Sequence, residues 1–136
     1  MNEGKPVQGV VLAHGSMAEG IVDAVTRISG APAGVLDPVS NTGKSPEALE
    51  AELAKYIGEG PVVFFTDLPS GSCAVAARIC CQETSQAAVI SGVNLPILLD
   101  FVFHQNLPLE ELVPRLMRKG REGLRSVPEY PVEKAV

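Results

Sequence analysis

Apolar residues fall along the chain in short blocks separated by glycine, proline and polar clusters. The first block, Val7 to Ala13, is rich in valine and runs straight into His14-Gly15-Ser16. A helical pattern follows through Ile28, with Ile21, Val22, Val25 and Ile28 as its apolar stripe. Ser16 with Glu19 three residues later has the form of a capping box. Gly30 to Gly34 breaks the pattern, and Gly34 to Val39 predicts a short second strand before the loop Ser40-Asn41-Thr42-Gly43-Lys44. Ser45-Pro46-Glu47 opens a helix: serine caps, proline needs no amide hydrogen in the first turn, and glutamate favours the positive end. That helix is expected to reach Ile57, where Gly58 and Gly60 stop it.

Pro61 to Thr66 has no charged side chain and predicts a buried strand, followed at once by Asp67. An alanine-rich helix with Ser72 at its mouth is expected to end near Glu83, with another strand over Ala87 to Ile90. The apolar stretch from Gly92 to Phe103, with Pro96 early in it, predicts a helix, and a further helix runs from about Leu107 to Leu124. The tail from Arg125 to Val136 contains Pro128 and Pro131 and is open to three readings: an edge strand, an arm reaching a neighbouring chain, or a disordered end. Strands alternating with helices define an α/β fold in three α/β/α layers, with a mostly parallel sheet of four strands. Its ligand site belongs beyond the carboxyl ends of those strands.

Composition removes several functions. The 136 residues suit one domain, and 46% hydrophobic residues suffice for a core. Eleven Lys plus Arg against sixteen Asp plus Glu give a net charge of -5, which repels a polyphosphate backbone, so no nucleic acid partner is expected. The basic residues between Arg115 and Arg125 are interrupted by Glu122 and fit a solvated helix face. The opening residues lack the basic lead and apolar run of a signal peptide, and no window is long and apolar enough to span a bilayer, so a cytoplasmic location is expected. Cys73, Cys80 and Cys81 are expected to be reduced, and without a CxxC pair a closed structural zinc site has little support.

Parallel strands deliver His14 and Asp67, each just past a strand, to one edge of the sheet. A carboxylate that accepts the Nδ1 hydrogen leaves Nε2 with its lone pair and stabilises positive charge on the ring, so the pair reads as a nucleophile with its orienting group. Gly71, Ser72 and Cys73 sit where free helix amides form an anion receptor suited to phosphoryl oxygens. Gly71-Ser72-Cys73-Ala74 lacks the flanking glycines of a hydrolase nucleophile elbow. Gly43-Lys44-Ser45 lacks the first glycine of a phosphate-binding loop and reads as loop plus cap. His104 reads as a helix-terminus residue, Cys73 at a helix start as a candidate for a lowered thiol pKa, and Cys80 and Cys81 as small apolar residues.

Three segments, Val10-Val11-Leu12-Ala13-His14-Gly15, Phe65-Thr66-Asp67-Leu68 leading to Gly71-Ser72, and Ser91-Gly92-Val93-Asn94-Leu95-Pro96, together resemble the EIIA component of the mannose family of the bacterial sugar phosphotransferase system. The resemblance spans most of the chain. It implies a single EIIA domain over 1–136 that accepts a phosphoryl group from phosphorylated HPr on His14 and passes it to an EIIB component, meeting membrane EIIC and EIID only through the complex. It assigns the histidine-bonding aspartate to Asp67 and the phosphate-binding serine to Ser72. It also implies a homodimer in which the C-terminal arm, about 125–136, is exchanged as a fifth edge strand, and neither a metal nor an organic cofactor. Pro69, Ser70, Cys73 and Ala74 depart from the family's usual glycines and proline, which puts partner choice in question. The phosphoryl donor of dihydroxyacetone kinase and a regulatory module controlled by phosphorylation are the alternatives that share this histidine.

Overall fold

The structure is a computed structural model that describes residues 4–131 and 133. Four strands, β1 (Gln8–Ala13), β2 (Leu36–Ser40), β3 (Val62–Thr66) and β4 (Ala87–Ser91), alternate with helices α1 (Met17–Ser29), α2 (Pro46–Ala54) and α3 (Ser72–Cys81). Helices α4 (Leu95–Val102) and α5 (Leu109–Glu122) complete the order. All pairings are parallel, in the order β2-β1-β3-β4. Strand order therefore reverses between β1 and β3, and the crevice at that reversal is where α/β sheets place their ligands.

Successive strand residues point to opposite faces, and the sheet uses both. Val11, Ala13, Val63 and Phe65 pack with residues of α1, α4 and α5, whereas Val10, Leu12 and Phe64 pack with α2 and α3. This double burial explains why β1 and β3 read as unbroken apolar runs rather than alternating ones. Pro38 is tolerated because β2 is an edge strand. Gly9, in the middle of β1, leaves room that its neighbours fill: a Cβ there would stand 2.5 Å from Leu36 Cδ2 and 2.7 Å from Phe101 Cε2.

Phe101 is fully buried and meets Phe65 edge to face, with ring centroids 5.3 Å apart. Phe101→Ala is expected to remove about 3–5 kcal/mol of stability, read as a lowered urea midpoint. A loss under about 1 kcal/mol would mean that α4 collapses onto the sheet and refills the space.

Several local expectations are corrected. Ser16 does not cap α1 through its side chain, and the capping box with Glu19 does not form. Its backbone, at φ -95 and ψ 8, is not extended like that of a capping residue, because the His14 carbonyl accepts the Met17 amide at 3.3 Å and the turn runs directly into the helix. Ile28 is exposed, so the apolar stripe of α1 ends at Val25. Helix α2 stops at Ala54 because Tyr56 and Ile57 form tighter three-residue bonds to Leu53 and Ala54, which carries the Tyr56 hydroxyl to Asp37 Oδ2 at 2.8 Å. Helices α3 and α5 end two residues earlier than expected, at Cys81 and Glu122. Among the described residues no strand forms after α5. Positions 132 and 134–136 of the expected arm lie outside the described residues. No helix among the described residues is long and apolar enough to cross a membrane.

Candidate active site

His14 and Asp67 leave β1 and β3 side by side, on the two sides of the strand reversal. Asp67 Oδ2 accepts the His14 backbone amide at 3.0 Å and lies 2.7 Å from His14 Nδ1, while Oδ1 accepts the Leu68 amide at 3.0 Å. A carboxylate held by three groups has little rotational freedom. With Oδ2 already accepting the main-chain amide, its natural partner at Nδ1 is an N–H donor, which leaves the Nε2 lone pair free. The His14 side chain is 47% exposed and that of Asp67 only 10%. The arrangement is a largely covered anchor beneath an accessible ring.

Burial pushes the Asp67 carboxyl up, but bonds from the His14 amide and ring, the ring's charge and the Leu68 amide outweigh it and hold the carboxyl below its ordinary range. Asp100 behaves alike: burial raises it, and the paired Arg115, His104 and Lys119 bring it down. Groups with depressed folded values contribute stability above their unfolded values near pH 4, and that contribution is lost as pH falls through the folded values. Urea midpoints are therefore expected to decline from about pH 4 downward. Asp100→Asn should flatten part of that slope; an unchanged slope would remove the Arg115 pair from the acid response.

Helix α3 begins opposite the ring. Gly71, at φ +96, makes the turn into it, and a Cβ there would stand 3.8 Å from His14 Cε1 and 4.0 Å from Nε2. A side chain at position 71 would thus be strained by the positive φ, and its Cβ would touch the Cε1–Nε2 side of the imidazole. The first intrahelical bond runs from the Val75 amide to the Gly71 carbonyl, so the amides of Ser72, Cys73 and Ala74 have no partner within the helix. Arg78 holds the approach loop by donating to the Pro69 carbonyl at 3.0 Å. All three expected anion-binding positions, Gly71, Ser72 and Cys73, therefore lie beside His14.

Three contributors were not legible as site residues. Asn41, after β2, donates from Nδ2 to Ser72 Oγ at 3.4 Å, across a separation of 31 residues. Ser40 Oγ donates to the Gly15 carbonyl at 2.8 Å and ties the same loop to the turn after His14. Thr66, fully buried, donates to the Leu68 carbonyl or the Ser91 hydroxyl, at 2.9 and 2.7 Å, and its carbonyl accepts both the Gly92 and Val93 amides. Asn94 caps α4 by accepting the Ile97 amide and donates to Gly120 of α5. The Ser91-Gly92-Val93-Asn94 motif thus braces the turn that carries Asp67. The one signal for Asn41 was its place directly after a strand.

The other candidates stand apart. His104 Nδ1 lies 2.8 Å from the Asp100 carbonyl at the end of α4, a helix-terminus role. Ser45 caps α2 by accepting the Ala48 amide, and Lys44 pairs with Glu52. Cys73 reverses expectation: burial and the charge of Asp67 push its thiol up, and this outweighs its position at a helix start. Cys80 and Cys81 are half-buried and free, with Cys81 pushed up to about 11 by burial and by Cys80. One donor atom each from His14, Asp67 and Cys73 lie within 4.8 Å of one another, a convergence that three separated positions in the sequence did not reveal.

An orienting carboxylate, an accessible imidazole and unpaired helix amides meet at this edge, and such amides suit an anionic group. The family model EIIA-man, described as the PTS system fructose IIA component, matches residues 9–116, and the chain belongs to this family of phosphotransferase-system components. The mannose-specific EIIAB component of Escherichia coli (strain K12) is 31% identical over 132 residues, covering 93% of this chain. The chain spans 41% of that relative's length. Among solved structures, the phosphotransferase component EIIA from Streptococcus agalactiae superposes with a TM-score of 0.82 at 20% identity, covering 89% of this chain and 97% of its own. The mannose/sorbose-specific IIA subunit from Enterococcus faecalis gives 0.78 at 20% identity, covering 96% and 99%. Both share the fold.

Proposed function

We propose that the chain is a phosphohistidine carrier of sugar uptake, taking a phosphoryl group from phosphorylated HPr on His14 and giving it to an EIIB component. The observation that carries this reading is the 2.7 Å contact between Asp67 Oδ2 and His14 Nδ1, made beneath a ring whose other edge is accessible beside the start of α3. In the transfer, the Nε2 lone pair attacks phosphorus as the P–N bond to the donor histidine breaks. The receiving imidazole gains positive charge, which the ionised Asp67 offsets, and the Nδ1 proton stays in place. The phosphoryl oxygens take hydrogen bonds from the Ser72 hydroxyl and the free amides of Ser72 and Cys73. Geometry and electrostatics supply the catalysis, as is usual for phosphoryl transfer.

An exposed histidine at a sheet edge suits donors and acceptors that are themselves proteins, because a partner has to bring its own phosphohistidine or acceptor to Nε2. The membrane EIIC and EIID components are reached only through the complex, on the cytoplasmic face. The carrier works as a homodimer in this reading, with its C-terminal arm engaging the partner. No bound metal or organic cofactor takes part in the transfer.

Intact-protein mass spectrometry after mixing the chain with HPr, enzyme I and phosphoenolpyruvate tests the reading. One acid-labile phosphoryl adduct is expected, and it should be discharged on adding the matching EIIB. No adduct, with HPr itself phosphorylated and the chain folded, would overturn it.

A further inference from the structure

We propose that His14, Asp67 and Cys73 form a site for a thiophilic divalent cation, zinc above all, and that filling it shuts off the acceptor histidine. The site itself stands on the donor geometry; its effect on transfer rests on the carrier reading above.

One ring nitrogen of His14, one oxygen of Asp67 and Sγ of Cys73 already lie within 4.8 Å of one another. Tetrahedral zinc, with bonds of about 2.0–2.3 Å, holds its donors roughly 3.3–3.8 Å apart. The His14–Asp67 contact at 2.7 Å has to open slightly and the sulfur has to close in, movements of side-chain size. Nitrogen, oxygen and sulfur together select zinc or cobalt over magnesium and calcium, which take oxygen donors. Three protein donors leave the fourth position to water, on the side where His14 is exposed.

Charge also balances. A thiolate and a carboxylate neutralise the two positive charges of zinc, so the positive end of α3 opposes the bound ion little. Binding releases the thiol proton to solvent, since a coordinated sulfur is deprotonated. The Cys73 side chain has no part in the transfer chemistry, where only its main-chain amide acts; its sulfur is packed in the core between the sheet, α2 and α3, at the edge nearest Asp67 and His14.

Exclusion of phosphoryl transfer follows from either ring nitrogen. A cation on Nε2 occupies the lone pair that must attack phosphorus. A cation on Nδ1 displaces the proton that Asp67 holds and cancels the tautomer control. Phosphoryl group and metal thus compete for one histidine.

The test uses the full chain with Cys80→Ser and Cys81→Ser, so that Cys73 is the sole thiol, freed of metal by a chelator and titrated with cobalt(II). One equivalent should bind and produce a thiolate-to-cobalt charge-transfer band. Cys73→Ala should abolish the band and weaken binding about tenfold or more, and Asp67→Asn should weaken it with the band retained. Absence of the band in the parent, or its survival in Cys73→Ala, overturns the site. If Cys73→Ala does not fold, undiminished cobalt affinity in both Asp67→Asn and His14→Ala overturns it equally. One equivalent of zinc should then stop phosphoryl uptake from HPr and a chelator should restore it; uptake unaffected by bound zinc overturns the shut-off. Failure of the metal-free chain to take up phosphoryl at all counts against the carrier reading and leaves the cobalt result standing.

Discussion

His14→Ala is expected to take phosphoryl uptake from one group per chain to none. The substitution removes the one imidazole, among the described residues, that meets the Asp67 anchor through Nδ1 and stands beside the start of α3 with Nε2. Nothing else described at this edge replaces it: His104 is turned onto the Asp100 carbonyl, and the Cys73 thiol is buried and held protonated by burial and by the charge of Asp67. Because the His14 side chain is half-exposed, its loss leaves no buried cavity, and thermal melting should change little. The main-chain amides of His14 and Leu68 still hold the Asp67 carboxylate in the variant, which keeps the turn in place for the experiment. A His14→Ala chain that melts normally and still acquires an acid-labile group from phosphorylated HPr would put the acceptor elsewhere.

The fold and half of the site could be read from the residues because both depend on local order. Apolar runs such as Val62 to Phe65 mark strands buried on both faces, and chemistry placed just after them, at His14 and Asp67, shares an edge whenever those strands are parallel. What sequence order does not carry is lateral contact. Asn41 reaches Ser72, Thr66 reaches Ser91, and Cys73 converges with His14 and Asp67 only because β2, β1, β3 and β4 lie in that lateral order. Local rules also failed where a tertiary bond competed with them. The His14 amide goes to Asp67 and the His14 carbonyl to Met17, so the turn after β1 follows the site's hydrogen bonds and Ser16 never takes a capping geometry. Cys73 shows the same limit for charge. A helix start lowers a thiol pKa, but burial and a nearby carboxylate raise it, and only the second pair of effects depends on facts that the chain order hides.

Asp67→Asn should slow phosphoryl uptake by about a hundredfold or more without abolishing it. The asparagine is nearly the same size, and with its amide oxygen in the place of Oδ1 it still accepts the Leu68 amide, while its NH2 group takes the place of Oδ2 and the bond from the His14 main-chain amide is lost. Two things change for the ring. The neutral amide no longer offsets the positive charge that grows on the imidazole as the P–N bond forms, and its NH2 group can donate to Nδ1, favouring the tautomer in which Nε2 carries the proton and has no lone pair to attack with. The first effect raises the transition state and the second depletes the reactive ground state, so they multiply. The residual rate comes from the amides and hydroxyl at the start of α3, which the substitution leaves alone. Rapid-quench measurement of transfer from phosphorylated HPr reads the combined effect. Ring 15N shifts of His14 separate its parts, since they report directly which nitrogen holds the proton. A variant that transfers at the parent rate, with Nδ1 still protonated, would remove Asp67 from the mechanism; a variant that is slow with its tautomer unchanged would assign the whole loss to charge.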